Sequence, residues 1–371
     1  MILYRPVGSG ELELIAASGW RTFPPRLPEQ PIFYPVLTAS YACEIAEQWN
    51  TKESDGSGWV VCFSVDDAYI SRYPVQTAGG SAHRELWIPS EELAELNTHI
   101  QGQIEPVMQV TAADAALANE IAAQSGTPAP LHIYSSVTST NDLLRSMAEA
   151  GAPAFTVIAS RRQTAGKGRQ GRSFYSPAHT GLYLSMLLRP QMTPQELMRI
   201  TPMAAVAAAE AAEQVSGVRT EIKWVNDLLL RGKKICGILA EAQTASAQPE
   251  YVIVGIGINL TEPENGFPPE LREIAGALLP ADADAEAAFV KTAEALTAAL
   301  LRQYAGIMER AYLRGYRERL CVLGKAVTVN ENGTEREASA LAVDDDLRLL
   351  VRYEDGTEQW RSTGEIRIRL K

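Results

Sequence analysis

The chain has 371 residues, more than one average domain needs, so two or three domains are expected. Hydrophobic residues make up 46% of it and charged residues 21%, a balance typical of globular proteins with sizeable cores. The formal net charge of −11 argues against general nucleic-acid binding, which needs a basic surface.

The N-terminal region, residues 1–107, is predicted to be a separate α+β domain. An apolar run at 59–65 predicts a strand, and the spacing of apolar residues at 41–50 predicts a helix. Several prolines make 22–35 an irregular loop, because proline blocks both helix and central strand. No basic stretch followed by an apolar run opens the chain, and no apolar run reaches about 18 residues, so we expect a cytoplasmic protein that does not bind membranes.

A second domain is predicted from residue 108 to residue 318, with strands and helices in alternation. Its strands are predicted at 132–137, 155–160, 182–188, 221–227, 234–241 and 251–260. Its helices are predicted at 111–124, 139–151, 202–217 and about 285–318, the last a single long amphipathic helix. The polar RGKK at 231–234 separates two apolar runs and predicts a β-hairpin. Residues 319–371 alternate short strands with NENG, DDD and EDG turns, which predicts a small β-barrel.

A basic run at 161–172, RRQTAGKGRQGR, stands out within this acidic chain. It contains no acidic residue, and a local cationic run favours an anionic ligand. The glycines of GKGRQG allow backbone amides to turn inward, which predicts an anion-binding loop. A solvated basic loop without a ligand is the alternative interpretation.

Two better-known phosphate-binding motifs are absent from the sequence. GxxxxGK[ST] does not occur, because Gly171 is followed by Arg172. The sequence at Gly255 opens like a dinucleotide fingerprint, but Leu260 stands where the third glycine belongs. Neither motif therefore explains the basic run, and both interpretations of it, an anion-binding loop and a solvated loop, stay open at this point.

Three further segments place polar residues at the ends of predicted elements. STN at 139–141 lies at the start of a helix, where hydroxyls and free amides can bind a polar ligand. KWVND at 223–227 lies at the edge of an apolar strand, and GIGIN at 255–259 ends another. A helix cap, a strand edge or a turn explains each segment alone equally well. Their combination, in this order, indicates a shared site.

Taken together, STND, QTAGKGRQGR, LYLSM, KWVNDLLL, KICGILAE and VGIGINL resemble the successive motifs of biotin–protein ligases. The GEIRIR at 364–369 resembles the end of that family's C-terminal SH3-like barrel, so the resemblance covers about 110–371. It implies a catalytic domain similar to class II aminoacyl-tRNA synthetases at 108–318 and an SH3-like β-barrel at 319–371. It also implies that the chain makes biotinyl-5′-AMP from biotin and Mg-ATP. The biotinyl group would then pass to a lysine of a biotin carrier domain, such as that of acetyl-CoA carboxylase.

The resemblance also assigns roles to individual residues. Ser139, Thr140 and Asn141 would line the pocket for the biotin head, with Gln163 near its ureido ring. The loop formed by Gly166, Lys167, Gly168 and Arg169 would close over biotin and phosphate. Arg169 would meet the acyl-phosphate, and Lys223 would contact both the carboxylate and the α-phosphate. These roles make Lys223, Arg169 and Lys167 the candidate catalytic residues.

On the nucleotide side, the resemblance implies contacts from Arg169, Phe174, Asn226, Asn259, Glu365 and Arg369. Asp227 would bind magnesium. Lys167 stands where many relatives have arginine, and Val225 replaces the proline of KWPND. Neither departure is expected to abolish activity, and a homodimer is left open.

The implied chemistry agrees with the residues. Attack of a carboxylate on a phosphate brings two anions together, and fixed cations with a metal offset that repulsion. None of the four histidines stands beside a plausible nucleophile, so no competing triad is predicted. A lipoate ligase or transferase is the rival enzyme, and a regulator that senses biotinyl-AMP without transferring it is a rival of another class.

The N-terminal region does not resemble the DNA-binding helix-turn-helix of many bacterial relatives, since it combines tryptophans, a proline-rich loop and strand-like runs. We therefore expect no specific DNA binding. The region is similar to a small uncharacterised bacterial family labelled ADP-ribosylation/crystallin-like. That label makes Arg5, Tyr41 and Glu85 candidates for an ADP-ribosyl-type or other ligand site; ordinary structural roles are the alternative.

Overall fold

The computed structural model describes residues 1–52, 55–80, 82–245, 248–331, 334–362 and 365–368, and the description below covers these residues. The helices of the N-terminal region are α1 (Ser9–Ala17), α2 (Ala39–Gln48), α3 (Asp67–Ile70) and α4 (Leu93–Thr98). Its strands are β1 (Ile2–Val7), β2 (Ile32–Phe33), β3 (Ser57–Val65), β4 (Val75–Thr77), β5 (Arg84–Leu86), β6 (Ile88–Pro89) and β7 (Ile100–Thr111).

The middle of the chain alternates strands and helices, as the sequence predicts. Its helices are α5 (Ala112–Ser125), α6 (Thr140–Glu149), α7 (Pro194–Leu197), α8 (Ile200–Ser216), α9 (Ala285–Ala305) and α10 (Tyr312–Arg319). Its strands are β8 (Leu131–Tyr134), β9 (Ser136–Val137), β10 (Val157–Ser160), β11 (Gly181–Leu188), β12 (Glu221–Lys223), β13 (Asp227–Leu230), β14 (Lys233–Ala245) and β15 (Gln248–Asn259). The C-terminal strands are β16 (Ala326–Glu331), β17 (Thr334–Val343), β18 (Leu349–Tyr353), β19 (Glu358–Arg361) and β20 (Glu365–Ile368).

The prediction of one long helix at about 285–318 is wrong. Helix α9 ends at Ala305, and α10 begins only at Tyr312. Arg310, between them, adopts a left-handed φ of 57°, a conformation that cannot continue a right-handed helix. The predicted hairpin around RGKK is confirmed, because β13 pairs antiparallel with β14.

The seven-stranded sheet of the middle region has the order β12-β13-β14-β15-β11-β10-β8. Every residue of the internal strand β11 is buried, which shows that both faces of the sheet are covered there. On one face lies a core that includes residues of α8 and α9. On the other face, Leu187 and Ile253 pack with α6, whose apolar residues lie on one side of the helix.

The C-terminal strands form a five-stranded antiparallel ladder in the order β19-β18-β17-β16-β20. Within 326–331, 334–362 and 365–368, no pairing between β19 and β20 closes this ladder into a barrel. The ladder contacts the middle region, because the indole nitrogen of Trp224 donates a hydrogen bond to the backbone oxygen of Leu347 at 2.9 Å. Among the described helices, none combines the length and apolarity that crossing a bilayer requires.

The N-terminal region shares part of its core with the middle region. Its sheet has the order β1-β3-β7-β9, and the fourth strand, β9, comes from beyond residue 107. One buried cluster contains Ala46 and Val60 of the N-terminal region together with Leu144 and Leu187 of the middle region. The N-terminal region is thus packed directly against the middle region and pairs with one of its strands. The sequence did not reveal these contacts because apolar periodicity shows that a face is buried, not what covers it.

Candidate active site

Most of the predicted ligand-binding residues meet in a cleft with two connected parts. The first part, a space of about 470 Å³ that includes open solvent, lies between the start of α6, the basic loop and strands β14 and β15. The second part, about 700 Å³ on the same measure, lies between the basic loop and hairpin β13–β14. Both parts are lined by Gly168, Arg169, Phe174, Asn226 and Lys234.

Hydroxyl and amide groups dominate the first part. The backbone nitrogen and the hydroxyl of Thr140 both donate to Oε1 of Gln163, at 2.9 and 3.1 Å. Nε2 of Gln163 donates to the hydroxyl of Ser176 at 3.2 Å, so the orientation of this amide is determined at both ends. Ser139, Thr140 and Asn141 are all buried, with Ser139 as the N-cap of α6. These residues lie together at one site, as the sequence predicts.

Two polar side chains that the sequence did not single out support this part of the cleft. Nδ2 of Asn141 donates to Oε2 of Glu241 at 2.7 Å. The hydroxyl of Ser185 lies 2.6 Å from Oδ1 of Asn141 and 2.8 Å from Oγ1 of Thr140. Ser185 sits in the middle of an apolar strand, the environment in which a polar residue needs a partner. A serine within an otherwise apolar strand was therefore the sequence signal that could have identified Ser185 as a site residue.

Glycines of β15 make room for these side chains. A Cβ on Gly255 would lie 2.2 Å from Oδ1 of Asn141, and one on Gly257 would lie 2.5 Å from the ring of Phe174. Successive side chains of a strand alternate between faces, so these two glycines open the same face. The GIGIN motif therefore has glycine at the two positions where the side chains of Asn141 and Phe174 approach the backbone of β15.

Cationic side chains distinguish the second part. Nη1 of Arg169 donates to Oδ1 of Asn226 at 3.1 Å, and Nδ2 of Asn226 donates to the backbone oxygen of Ile238 at 3.0 Å. Lys223 and Arg172 line the second part but not the first. Among the described residues that line this space, four are basic and one, Asp227, carries a carboxylate.

Lys234 was missed as a site residue, because the sequence suggested only a hairpin there. Its Nζ lies 2.7 Å from Oδ1 of Asp227 and 5.9 Å from the centre of the Phe174 ring. It lines both parts of the cleft, whereas Lys223 lines only one. The signal was its position as the first residue of the KICGILAE motif.

An ion pair and a backbone hydrogen bond restrain the basic loop at 161–172. Nζ of Lys167 pairs with Oδ1 of Asp142 at 2.5 Å, which connects the loop to the first turn of α6. The backbone nitrogen of Gly168 donates to the oxygen of Arg172 at 2.7 Å. A Cβ on Gly166 would lie 2.6 Å from the backbone oxygen of Phe174, so glycine is needed at this position. Arg161, at the start of the run, is buried and pairs with carboxylates outside the cleft.

Three predicted nucleotide-side residues are not described as part of the cleft. The amide of Asn259 donates to the backbone oxygen of Gly276 at 3.0 Å, and Asn259 lines neither part. Glu365 pairs through its backbone with Asn330, and nothing is described of its side chain. Arg369 lies outside the described residues.

The N-terminal candidates divide into a pair and a separate arginine. The hydroxyl of Tyr41 donates to Glu85 at 3.3 Å, and burial together with this carboxylate raises the pKa of Tyr41 to about 12. Arg5 instead donates twice to Glu11, at 2.7 and 3.0 Å. The described contacts therefore bring Tyr41 and Glu85 together and leave Arg5 in another cluster.

Comparison with known proteins places the cleft in a family context. Residues 133–259 match the model of the Biotin/lipoate A/B protein ligase family. The chain is 41% identical over 147 residues to the bifunctional ligase/repressor BirA of Bacillus subtilis, which is 39% of this chain and 45% of BirA. It is 34% identical over 145 residues to the biotin–[acetyl-CoA-carboxylase] ligase of Mycobacterium tuberculosis, 38% of this chain and 53% of that protein. The chain thus spans about half the length of these relatives, and the resemblance of its middle region to biotin ligases is confirmed.

The fold is similar to that of biotin protein ligase from Aquifex aeolicus. The structure of that protein in complex with biotin and ATP superposes with a TM-score of 0.52 at 24% identity, covering 65% of this chain and 99% of the other. Its apo structure gives a TM-score of 0.51 at 22% identity, covering 64% and 99%. The expectation of a mixed α/β fold of biotin-ligase type is confirmed.

Proposed function

We propose that this protein is a biotin–protein ligase. It would form biotinyl-5′-AMP from biotin and ATP and transfer the biotinyl group to a lysine of a carrier domain, such as that of acetyl-CoA carboxylase. The observation that carries the proposal is the continuity of the cleft: a part lined by amides and hydroxyls opens into a cationic part, with Arg169 and Lys234 lining both. The Aquifex structure named for biotin and ATP supports the same assignment.

Biotin would occupy the first part of the cleft. Its ureido group both donates and accepts hydrogen bonds, and Ser139, Thr140, Asn141 and Gln163 offer both kinds of partner. Gln163 is already oriented by Thr140 and Ser176, so little side-chain freedom is lost on binding. The carboxylate would point toward the loop of Gly166, Lys167, Gly168 and Arg169.

The nucleotide would occupy the second part. The biotin carboxylate oxygen attacks the α-phosphorus, the new acyl–phosphate bond forms, and pyrophosphate leaves. Negative charge accumulates where Arg169, Lys234 and Lys223 lie, and each fixed donor of this kind contributes roughly 3 kcal/mol or more. The acceptor lysine then attacks the acyl carbon, AMP leaves, and the amine loses a proton.

Asp227 would hold magnesium, which would neutralise phosphate charge when bound. Its Oδ1 is buried and accepts no well-directed hydrogen bond, although Lys234 is close. The described residues hold no cluster of three or more histidine, cysteine or acidic side chains for a metal. One carboxylate suits magnesium, which usually takes its remaining ligands from water and substrate phosphates. Asn226, Phe174, Asn259, Glu365 and Arg369 would contact the nucleotide.

Finer features of the architecture belong to the same proposal. The domains would be 1–107, 108–318 and 319–371, the second similar to class II aminoacyl-tRNA synthetases and the third an SH3-like barrel. The five antiparallel strands β16 to β20 are the observation behind the SH3-like proposal, although no pairing of β19 with β20 closes them within the described residues. We also propose a cytoplasmic location and no specific DNA binding.

The test is to incubate the full chain with Mg-ATP, radiolabelled biotin and a biotin carrier domain. Label on the carrier lysine is expected, and omission of magnesium should remove it. Lipoate with a lipoyl domain runs in parallel, because the matched family model covers both substrates. Transfer of lipoate but not biotin would assign the rival enzyme. Adenylate formation without transfer to the carrier would indicate the sensing protein.

A further inference from the structure

A separate cavity of about 870 Å³, including open solvent, lies within the first fifty residues. It is bounded by β1, by the start of α1 and by the proline-rich loop around Arg26. We call it the Arg5–Arg26 cavity. Its described lining residues all precede Thr51, and none of them lines the active-site cleft.

The cavity has an excess of positive charge. Arg5 is buried and forms a two-bond ion pair with Glu11, with nitrogen–oxygen distances of 2.7 and 3.0 Å. Nη1 of Arg26 lies 3.5 Å from the same carboxylate. Two guanidinium groups thus share one carboxylate, and burial and the charge of Arg5 lower the pKa of Arg26. A bound anion would remove this imbalance.

Arg26 has an unsatisfied donor at the edge that normally binds anions. Its Nε is buried and donates no hydrogen bond, and only 12% of the side chain is exposed. The neighbouring Nη2 donates to the amide oxygen of Gln30. Nε and Nη2 together form the fork that grips carboxylate or phosphate with two parallel bonds. Gln30 occupies one half of that fork with a neutral oxygen.

Apolar groups flank this charged centre. Leu14 and Leu27 both line the cavity and are 58% and 56% exposed, while Pro24 and Pro25 add further apolar surface. Helix α1 begins after Gly8. Because glycine has no side chain that could cap the helix, the first backbone amides of α1 add hydrogen-bond donors to this side of the cavity. The lining suits a ligand with an anionic head and an apolar body.

We propose that the Arg5–Arg26 cavity binds a small organic anion, a phosphate or carboxylate attached to an apolar body. One oxyanion oxygen would displace the Gln30 amide from Nη2 of Arg26, and a second would accept from Nε. The apolar body would lie against Leu14 and Leu27. This site is independent of biotin ligation.

The test is isothermal titration calorimetry of the full chain at low salt with four probes: phenyl phosphate, benzoate, neutral benzamide and inorganic phosphate. We expect binding of phenyl phosphate, benzoate or both, and which of the two binds identifies the head group. Benzamide should not bind, inorganic phosphate should bind more weakly, and added salt should weaken binding. Equal binding of benzamide, or no binding of either organic anion, would overturn the proposal.

Variants assign the binding to this cavity. Arg26→Gln should weaken it about tenfold or more, since a charge-assisted hydrogen bond is lost. Gln30→Ala should tighten it, because the competing acceptor is gone, and this variant remains informative if Arg26→Gln does not fold. Arg21→Gln changes an exposed neighbouring arginine and is the matched control. Arg169→Ala controls for binding of the probe in the ligase cleft.

Loss of binding in Arg169→Ala but not in Arg26→Gln would place the probe in the ligase cleft and overturn the proposal. Equal loss in Arg21→Gln and Arg26→Gln would reduce the effect to general charge and also overturn it. Biotin ligation by Arg26→Gln should equal that of the unmodified chain, which keeps this result separate from the test of the ligase itself.

Discussion

In each of two regions of this molecule, an arginine lies beside a cavity. The loops that carry these two arginines differ, because one is rich in glycine and the other in proline. In the middle region, Arg169 belongs to a glycine-rich loop and hydrogen-bonds the neutral amide of Asn226. In the N-terminal region, Arg26 belongs to a proline-rich loop and shares the carboxylate of Glu11 with Arg5. Glycine leaves a backbone free to rearrange, whereas proline restricts it before any ligand arrives. The first arrangement suits closure over successive reactants, and the second suits a site that is already formed.

The two regions nevertheless depend on each other for their cores, which gives the largest expected effect. Deleting residues 1–107 would expose apolar residues of α6, β8 and β10 that the shared cluster buries. Each such side chain contributes about 1.5–3 kcal/mol, and several together match a domain's whole stability of about 5–15 kcal/mol. We expect the truncated chain to aggregate or melt far below the full chain in circular dichroism.

Adding residues 1–107 as a separate polypeptide should restore part of the lost solubility, which serves as the control. A truncated chain that melts like the full protein and makes biotinyl-AMP would show that the two regions are independent after all.

Removing the guanidinium group of Arg169 from the glycine-rich loop has the second-largest expected effect. Arg169→Ala should slow adenylate formation by roughly a hundredfold, since a donor aimed at developing charge is lost. Biotin-dependent pyrophosphate exchange measures this step directly. Arg162→Ala, an exposed arginine in the same basic run, is the control and should stay within about twofold. Equal losses in both variants would reduce the loop to a general charge effect.

The roles of two lysines can be separated in the same assay. Lys234→Ala should lower the rate of adenylate formation about tenfold or more, and by more than Lys223→Ala does, because Lys234 lines both parts of the cleft. Lys233→Ala, the exposed neighbour, is the matched control. A larger loss in Lys223→Ala would restore the interpretation that the sequence alone suggested.

The smallest expected effect concerns an ion pair between the regions. His132 of β8 lies 3.1 Å from Glu47 of α2. Burial lowers the pKa of His132, but the hydrogen bond and charge of Glu47 outweigh burial and raise it overall. The stabilisation is therefore complete below the ordinary histidine value of about 6.5 and is lost as pH rises through the higher folded-state pKa.

Urea unfolding at about pH 5.5 and about pH 8.5 tests this, because those values lie on either side of the titration. His132→Gln should lose roughly 1 kcal/mol or less of pH-dependent stability, while His179→Asn at an exposed site should not. A His132→Gln variant with the pH dependence of the unmodified chain would contradict the assignment.

Much of the fold and the site could be predicted from local pattern. The alternation of apolar runs gave β11, β14 and β15, and the cap at Ser139 gave the start of α6. Motif order brought Thr140, Gln163 and Arg169 to one cleft. These features depend on neighbours in sequence or on spacings that recur among relatives.

The sequence could not show which charged residues pair with each other when they are far apart in the chain. Arg161 looked like part of the basic loop, but it pairs with Asp114 and Glu286. Lys234 looked like a turn residue until hairpin pairing placed it beside Asp227. The sequence shows which charged residues are present, but only the fold determines which of them form ion pairs.

The pairing of β7 with β9 has a consequence for biosynthesis. Met108 and Val137 are partners in this ladder, and the backbone nitrogen of Thr138 donates to the oxygen of Val107 at 3.0 Å. Because the ribosome releases the N-terminal sheet first, its outer edge waits with open backbone groups until residues 136–138 emerge. Strand β9, which leads directly to Ser139 at the cleft, therefore completes its pairing on an edge that is synthesised earlier. A pause in translation after β7 has left the ribosome, but before residues 136–138 have, would leave that edge available to other nascent chains.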